Sequence, residues 1–239
     1  MPTETETVTA APEKASRWED FIDVIFSPRE LFERRANEGW FKPFLILCAV
    51  CILLYYVLLP VTAGLWEAIM RENAPATATP AQIEQSASVM KWFYGIMIPI
   101  GFLMVVATSA VGIKLVSSLL EPASTWRQAF MISTYSMFVA VPQTVLIAIA
   151  VMIKNQTGGN LSMADSSFGA MRFTGSDLDP VMRTLLTRVD LFAIWSAVLV
   201  AIGLIYVVRM ERSKAIITAV IVWALIALPG LAGAAFAPR

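Results

Sequence analysis

The 239-residue sequence contains no histidine, and only 15% of its residues are charged. The absence of histidine excludes Ser-His and Cys-His nucleophilic catalysis, histidine-ligated metal sites and haem ligation through histidine. A charged fraction well below the ~25% of soluble domains argues against a soluble globular protein. Lysine and arginine together number 18, and so do aspartate and glutamate. Because no positive excess is available to neutralise phosphates, nucleic acid is not an expected partner.

Cysteine is almost absent as well. The two cysteines, Cys48 and Cys51, lie in one apolar stretch, so they cannot form a disulfide framework, and no basic residue nearby would activate a thiol. The sequence also lacks a phosphate-binding Gly-Lys loop, an HExxH helix and a GxSxG elbow. We therefore predict no catalytic residue, no cofactor and no metal site.

Long apolar stretches dominate the chain, and 57% of its residues are hydrophobic. Five stretches reach the ~20 residues that a helix needs to cross ~30 Å of hydrocarbon. They cover residues 44–66, 92–120, 128–153, 189–208 and 215–236. The predicted fold is an all-α membrane protein whose membrane domain, residues 44–236, has five transmembrane helices.

Lysine and arginine set the expected orientation. They are dense before the first stretch and in the turn between the fourth and fifth, which carries Arg209, Arg212 and Lys214. The positive-inside rule then predicts a cytoplasmic N-terminus and a C-terminus on the outer side.

The N-terminal segment divides into two parts. Residues 1–16 are rich in Thr, Glu, Ala and Pro, which predicts a disordered cytoplasmic tail. Residues 17–43 predict two short amphipathic helices in the membrane interface, with Asp20 on the polar face of the first and a capping box of Ser27 and Glu30 starting the second. The expected interfacial residues are Trp18, Phe21, Ile22, Ile25 and Trp40.

Three further helix starts can be predicted from local sequence. Thr79 with Gln82, and Thr125 with Gln128, have the spacing of capping boxes. Asp190 heads the fourth stretch, where an acidic side chain complements the helix dipole.

Two polar residues lie inside apolar stretches and are candidate functional residues. Lys114 could be a substrate or proton site, or an anchor whose long side chain reaches the headgroups. Gln143 follows Pro142, and it could line a permeation path or bond to a neighbouring helix.

Small residues repeat every four positions in three stretches, a spacing that lets helix backbones approach closely. Such stripes predict tight helix packing, either within one bundle or against a partner. Their members are Thr108, Gly112, Ala193, Ala197, Ala201, Gly230 and Ala234.

Several segments, in this order and spacing, resemble the bacterial branch of the Yip family (Ypt-interacting proteins). They are IFSPRELFERR and WFKPFLIL before and within the first stretch, STWRQAFMISTYS after the second, and DLFAIWSAVLVAIGL with KAIITAVIVWAL at the end. The resemblance implies a non-enzymatic membrane protein with five spans and a cytoplasmic N-terminal segment. Eukaryotic relatives associate with Rab-type GTPases, but their motif Asp-Leu-Tyr-Gly-Pro is not found here, so no such contact is transferred.

Bacterial genes of this branch often accompany those of ABC-type transporters. The resemblance therefore implies an accessory or interaction subunit of a membrane transport or envelope complex, such as an ABC-type exporter, in the bacterial inner membrane. Expected partners are membrane lipids and other integral membrane proteins, including an ABC-type transporter or a second copy of the chain. The alternative is a small transporter or channel, or a bilayer-shaping or lipid-handling protein.

Overall fold

The computed structural model describes residues 16–75, 77–173 and 179–235. Over these ranges the chain is helical and has no β-strand, which confirms the predicted all-α class. The α-helices of this described part are α1 (Asp20–Phe26), α2 (Pro28–Arg35), α3 (Phe41–Asn73), α4 (Pro80–Leu120), α5 (Trp126–Ser136), α6 (Ala140–Gln156), α7 (Pro180–Arg188), α8 (Leu191–Gly203) and α9 (Arg212–Ala235). The predicted tail, residues 1–16, lies outside the described residues except for Ser16.

Four helical segments among the described residues are long and apolar enough to cross a membrane: α3, α4, α5 with α6, and α8 with the π-helical turn after it. The helices extend beyond the predicted stretches, since α4 has 41 residues and begins at Pro80. The fifth predicted stretch, 215–236, falls on α9, which is not one of the four.

Local capping explains where two of these helices begin. Thr79 accepts a hydrogen bond from the backbone N–H of Gln82, whose side chain accepts one from the Thr79 N–H, and Thr125 and Gln128 repeat the arrangement. Both predicted capping boxes are therefore confirmed. The box predicted at Ser27 is wrong, because Ser27 makes no side-chain capping bond and its N–H instead closes α1 by donating to Asp23.

The segment predicted as one helix over 128–153 is interrupted. A 3₁₀ turn over Met137–Val139 separates α5 from α6. Pro142 follows it, and because proline has no N–H it cannot bond to the carbonyl of Phe138, so the regular helical ladder is broken here.

The bundle has two ends that we name by their contents. The hairpin end holds α2 and the turns at residues 121–125 and 209–211, and α1 extends from it along the bundle to Phe138 and Trp195. Gln128 joins two helices there by donating to the carbonyl of Val207 at 3.1 Å. The loop end holds the segment between α6 and α8, and Met163 of that segment donates its N–H to Glu72 at 2.8 Å.

The helices α1 and α2, which we call the N-terminal hairpin, are built into the core. Val24, Leu31 and Phe32 have no exposed surface. The indole N–H of Trp195 on α8 donates to the carbonyl of Val24 at 3.2 Å. The hairpin thus packs on the bundle as well as facing its surroundings, whereas the amphipathic pattern alone predicted helices lying in the interface.

Gly203 permits the close approach of this hairpin. A Cβ placed there would lie 2.7 Å from Cγ2 of Ile132 and 3.2 Å from a ring carbon of Phe32, which is too close for normal packing. A side chain at this position would therefore push α5 and α2 away from α8.

We predict that Gly203→Ala lowers the thermal unfolding midpoint, because three contacts at 2.7–3.2 Å call for an overpacking cost of about 2–3 kcal/mol, more than the ~1 kcal/mol that alanine gains in a helix. The matched control is Gly101→Ala, since nothing lies within 4 Å of the added methyl there. Melting of both variants in the same detergent checks this. An equal or raised midpoint for Gly203→Ala would show that the close approach is unimportant.

Candidate interaction surface and polar cavity

A buried charge cluster holds the N-terminal hairpin. Asp20 is 1% exposed and accepts hydrogen bonds from Arg34 at 2.9 Å, Arg35 at 3.1 Å and the Tyr135 hydroxyl at 3.3 Å. Sequence periodicity placed Asp20 on the polar face of α1, but the structure places it between α1, α2 and α5. A buried carboxylate is stable only when charged or polar groups compensate its lost hydration, and these three groups do so.

Glu38 extends the cluster beyond α2. It accepts from Arg35 at 2.6 Å and from Arg17 at 2.7 Å. Burial alone would raise the pKa of Glu38, but the hydrogen bonds and positive charges of Arg35 and Arg17 outweigh it and lower this pKa below its ordinary value. Glu38 therefore stabilises the hairpin in its charged form.

The hairpin presents an exposed apolar stripe, which consists of Trp18, Ile22 and Phe26. Their exposed fractions are 66%, 60% and 78%. Their spacing of four residues places them on one side of the segment. We call this set the α1 stripe; Phe26 was not among the residues predicted to be interfacial, although its i+4 spacing from Ile22 is visible in the sequence.

The remaining predicted interfacial residues face inward. Phe21 stacks on Phe138 with ring centroids 4.5 Å apart, and Ile25 packs against the core. Trp40, just before α3, stacks on Phe130 at 4.8 Å.

The two polar candidates inside the apolar stretches have different surroundings. Lys114 donates to the backbone carbonyl of Ser124 at 2.8 Å, so it fastens α4 to the turn at the hairpin end. Gln143 borders a cavity, and within the described part of the chain no protein group hydrogen-bonds to its amide.

This cavity, which we call the loop-end cavity, has a volume of about 540 Å³. Its walls come from α4, the 3₁₀ turn before α6, α6, α8, α9 and the segment between α6 and α8. The described residues that line it are Tyr94, Val105, Met137, Val139, Ala140, Gln143, Ser166, Ser167, Thr187, Asp190, Phe192, Ala193, Ser196, Trp223 and Ile226.

Two polar residues at the loop end of the cavity differ in their hydrogen bonding: Asp190 is fully bonded and Ser167 is not. Both carboxylate oxygens of Asp190 are occupied, one by the N–H groups of Phe192 and Ala193 and the other by the N–H of Phe168 at 2.6 Å. Asp190 is therefore the N-cap of α8 and also holds the loop against the bundle. Ser167 is 6% exposed, and its buried hydroxyl has no hydrogen-bond partner, a state that costs about 1–3 kcal/mol.

The small-residue stripes are used in several places. A Cβ on Gly112 would lie 3.1 Å from Val222, so Gly112 brings α4 close to α9. Ala201 is buried, Ala193 and Ala197 border cavities, and Thr108 is exposed.

Gly230 and Ala234, the stripe predicted on α9, lie outside the residues whose side chains are described. The stripes that are described serve packing inside the bundle at Gly112 and Ala201.

Comparison with known proteins decides the family. The model of the Yip1 domain matches residues 22–234. The chain belongs to the Yip family. This match runs from α1 to α9 and confirms the family resemblance of the quoted segments, while the bacterial branch stays a prediction. Neither the curated proteins nor the solved structures gave a match.

Membership supports the coarser functional statement. The Yip family consists of non-enzymatic membrane proteins, and the apolar helices of this chain agree with an integral membrane protein. Among the described residues, no group of three or more His, Cys, Asp or Glu side chains could hold a metal ion.

For this Yip-family protein we predict that Asp20→Asn destabilises the hairpin by about 2–4 kcal/mol, because it removes the buried charge that bonds to Arg34, Arg35 and Tyr135 together. The matched control is Asp23→Asn, whose carboxylate also bonds to Arg34 but is 23% exposed, and we expect it to cost less than about 1 kcal/mol. Hydrogen exchange of the amides of α1 and α2 measures both. Equal losses would contradict the assignment of Asp20 as the anchor.

A pH prediction follows from Glu38. Since its pKa is lowered by folding, its contribution is full above the unfolded value of 4.5 and is lost as the pH falls through the lower folded value. Glu38→Gln should therefore melt below the native chain at pH 7, and the gap should close under acid. Glu33→Gln, which alters an exposed pair with Arg29, is the control and should show a small gap at every pH. A pH-independent gap for Glu38→Gln would rule this out.

Proposed function

We propose that this Yip-family chain is a non-enzymatic, five-span protein of the bacterial inner membrane that serves as an accessory subunit of a transport or envelope complex, such as an ABC-type exporter. Its N-terminus is cytoplasmic and its C-terminus lies on the outer side. The observation that carries the proposal is the exposed α1 stripe on a hairpin that is fixed to the bundle.

The hairpin is well suited to present a binding surface. Asp20 ties α1 to α2 and α5, and Trp195 ties α1 to α8, so little ordering is needed when a partner binds. Large aromatic side chains are frequent anchors of protein interfaces, and the α1 stripe supplies Trp18 and Phe26. Membrane lipid contacts the part of this surface that no partner covers.

The length of α9 supports the fifth crossing. Its 24 residues span about 36 Å, enough for the hydrocarbon core of a bilayer. Basic residues lie just before it and in its first turn, namely Arg209, Arg212 and Lys214, which favours the cytoplasmic side for this end and the outer side for the C-terminus.

The state of the buried carboxylates supports the non-enzymatic assignment. Asp20 is bonded to arginines, Asp165 to Lys154 at 2.7 Å, and Asp190 to backbone N–H groups. The oxygens of each carboxylate therefore already accept structural hydrogen bonds, whereas a general base needs an oxygen that can reach the proton of a substrate.

A second candidate function is that of a small transporter or channel, or a bilayer-shaping or lipid-handling protein. The loop-end cavity favours it, because Gln143 and the helix break before Pro142 both border or adjoin this space.

We predict that Phe26→Ser strongly reduces co-purification of the transport partner, since it replaces the most exposed aromatic side chain of the α1 stripe by a polar group. The measurement is a pull-down of the tagged full chain in native-lipid particles from its host, quantified by mass spectrometry. Phe173→Ser is the matched control, because Phe173 is 91% exposed but lies in the segment between α6 and α8. We expect a stoichiometric partner with the native chain and Phe173→Ser, and at least about tenfold less with Phe26→Ser.

Two results would contradict this role. One is equal recovery of the partner with both variants, and the other is recovery of the native chain only as copies of itself. Recovery of the chain only as copies of itself would favour the second candidate function, a small transporter or channel or a bilayer-shaping or lipid-handling protein.

A further inference from the structure

We propose that the loop-end cavity binds one molecule of an uncharged amphiphile with a hydroxyl headgroup, of the diacylglycerol class. This proposal goes beyond the accessory role and does not rest on it. It rests on the size of the cavity, on the unpartnered side chains of Ser167 and Gln143 and on the position of the Asp190 carboxylate at its border.

The size and depth of the cavity fit a ligand. Its volume of about 540 Å³ lies within the ~300–1,000 Å³ of typical ligand sites. A cavity of about 30 Å³, lined among others by Ser109 and Ser133, lies next to it and shares six of its lining residues. Those two hydroxyls are bonded to each other at 3.0 Å and are therefore not free to bind a ligand.

Two polar groups that line the cavity have no hydrogen-bond partner among the described residues. The Ser167 hydroxyl is buried and unpaired, although buried polar groups in proteins nearly always have a partner. The amide of Gln143 has no hydrogen-bond partner among the described residues and borders the same space. A hydroxyl headgroup can both donate to and accept from these two side chains.

Charge determines the class of headgroup. The carboxylate of Asp190 borders the cavity and would repel the negative charge of a phosphate headgroup. The same carboxylate already accepts three backbone N–H bonds, so its oxygens are not available for an ammonium group. An uncharged headgroup therefore suits this lining.

The tail of the ligand has an apolar path. The rings of Tyr94, Phe192 and Trp223 border the cavity, together with Val105 and Ile226. Such walls suit acyl chains, which gain by leaving water and need no hydrogen bonds.

The test is a titration of the full chain in detergent with 1,2-dioctanoylglycerol, followed by native mass spectrometry. We expect one retained molecule. Gln143→Leu and Ser167→Ala should each raise the Kd about fivefold, which corresponds to one lost hydrogen bond. Gln85→Leu and Ser88→Ala make the same changes at exposed positions of α4 and should leave the Kd unchanged. Ala193→Phe, which fills the cavity, should abolish retention.

A photoactivatable diacylglycerol with the reactive group in its acyl chain keeps the test decisive if Ala193→Phe does not fold. Labels on peptides that contain Phe192 or Trp223 of the native chain support the site. Labels confined to exposed positions such as Leu103 overturn it. In the titration, three results overturn it: no retained molecule, equal binding by the Gln143 variant and its control, or tighter retention of anionic phosphatidylglycerol.

Discussion

The burial of Asp20 is the constraint on which the arrangement of the N-terminal hairpin depends. A carboxylate that is 1% exposed needs compensating donors, and it finds them on two other helices, α2 and α5. Because all three partners must be in place together, the position of α1 is fixed relative to both. Gly203 supplies the complementary condition on α8, where the missing side chain leaves room for Phe32. The α1 stripe is exposed as a consequence, since the opposite side of the hairpin is committed to the core.

Much of the fold could be predicted from local sequence patterns. The apolar stretches predict helices, and the capping boxes at Thr79 and Thr125 are confirmed because all of their partners lie within three residues. Ser27 fails the same test because it ends α1 and starts α2, so one residue cannot satisfy both helix ends in their usual way. A capping pattern of four residues carries no information about where the preceding helix ends.

Long-range contacts could not be predicted in this way. The bond between Asp20 and Tyr135 joins residues 115 positions apart, and helical periodicity distinguishes only an apolar from a polar face. A helix such as α1, which has a core side, an exposed apolar side and a buried ionic contact, has more environments than that two-face pattern can express. Similarly, the spacing of Gly112 predicts close packing but does not say whether the neighbour is α9 or another chain.

The loop-end cavity shows how a local signal and a distant one combine. Gln143 could be singled out from the sequence because it follows Pro142 in an apolar stretch, whereas Ser167 is one of several serines in a polar segment. The burial of Ser167 depends on Asp190, which caps α8 and holds the loop against the bundle by accepting the N–H of Phe168. The same helix carries Trp195, which holds the hairpin, and Ala193, which borders the cavity. Helix α8 therefore contributes both to the packing of the hairpin and to the wall of the cavity. Because Ala193 and Trp195 are two residues apart, a shift of the start of α8 would change both.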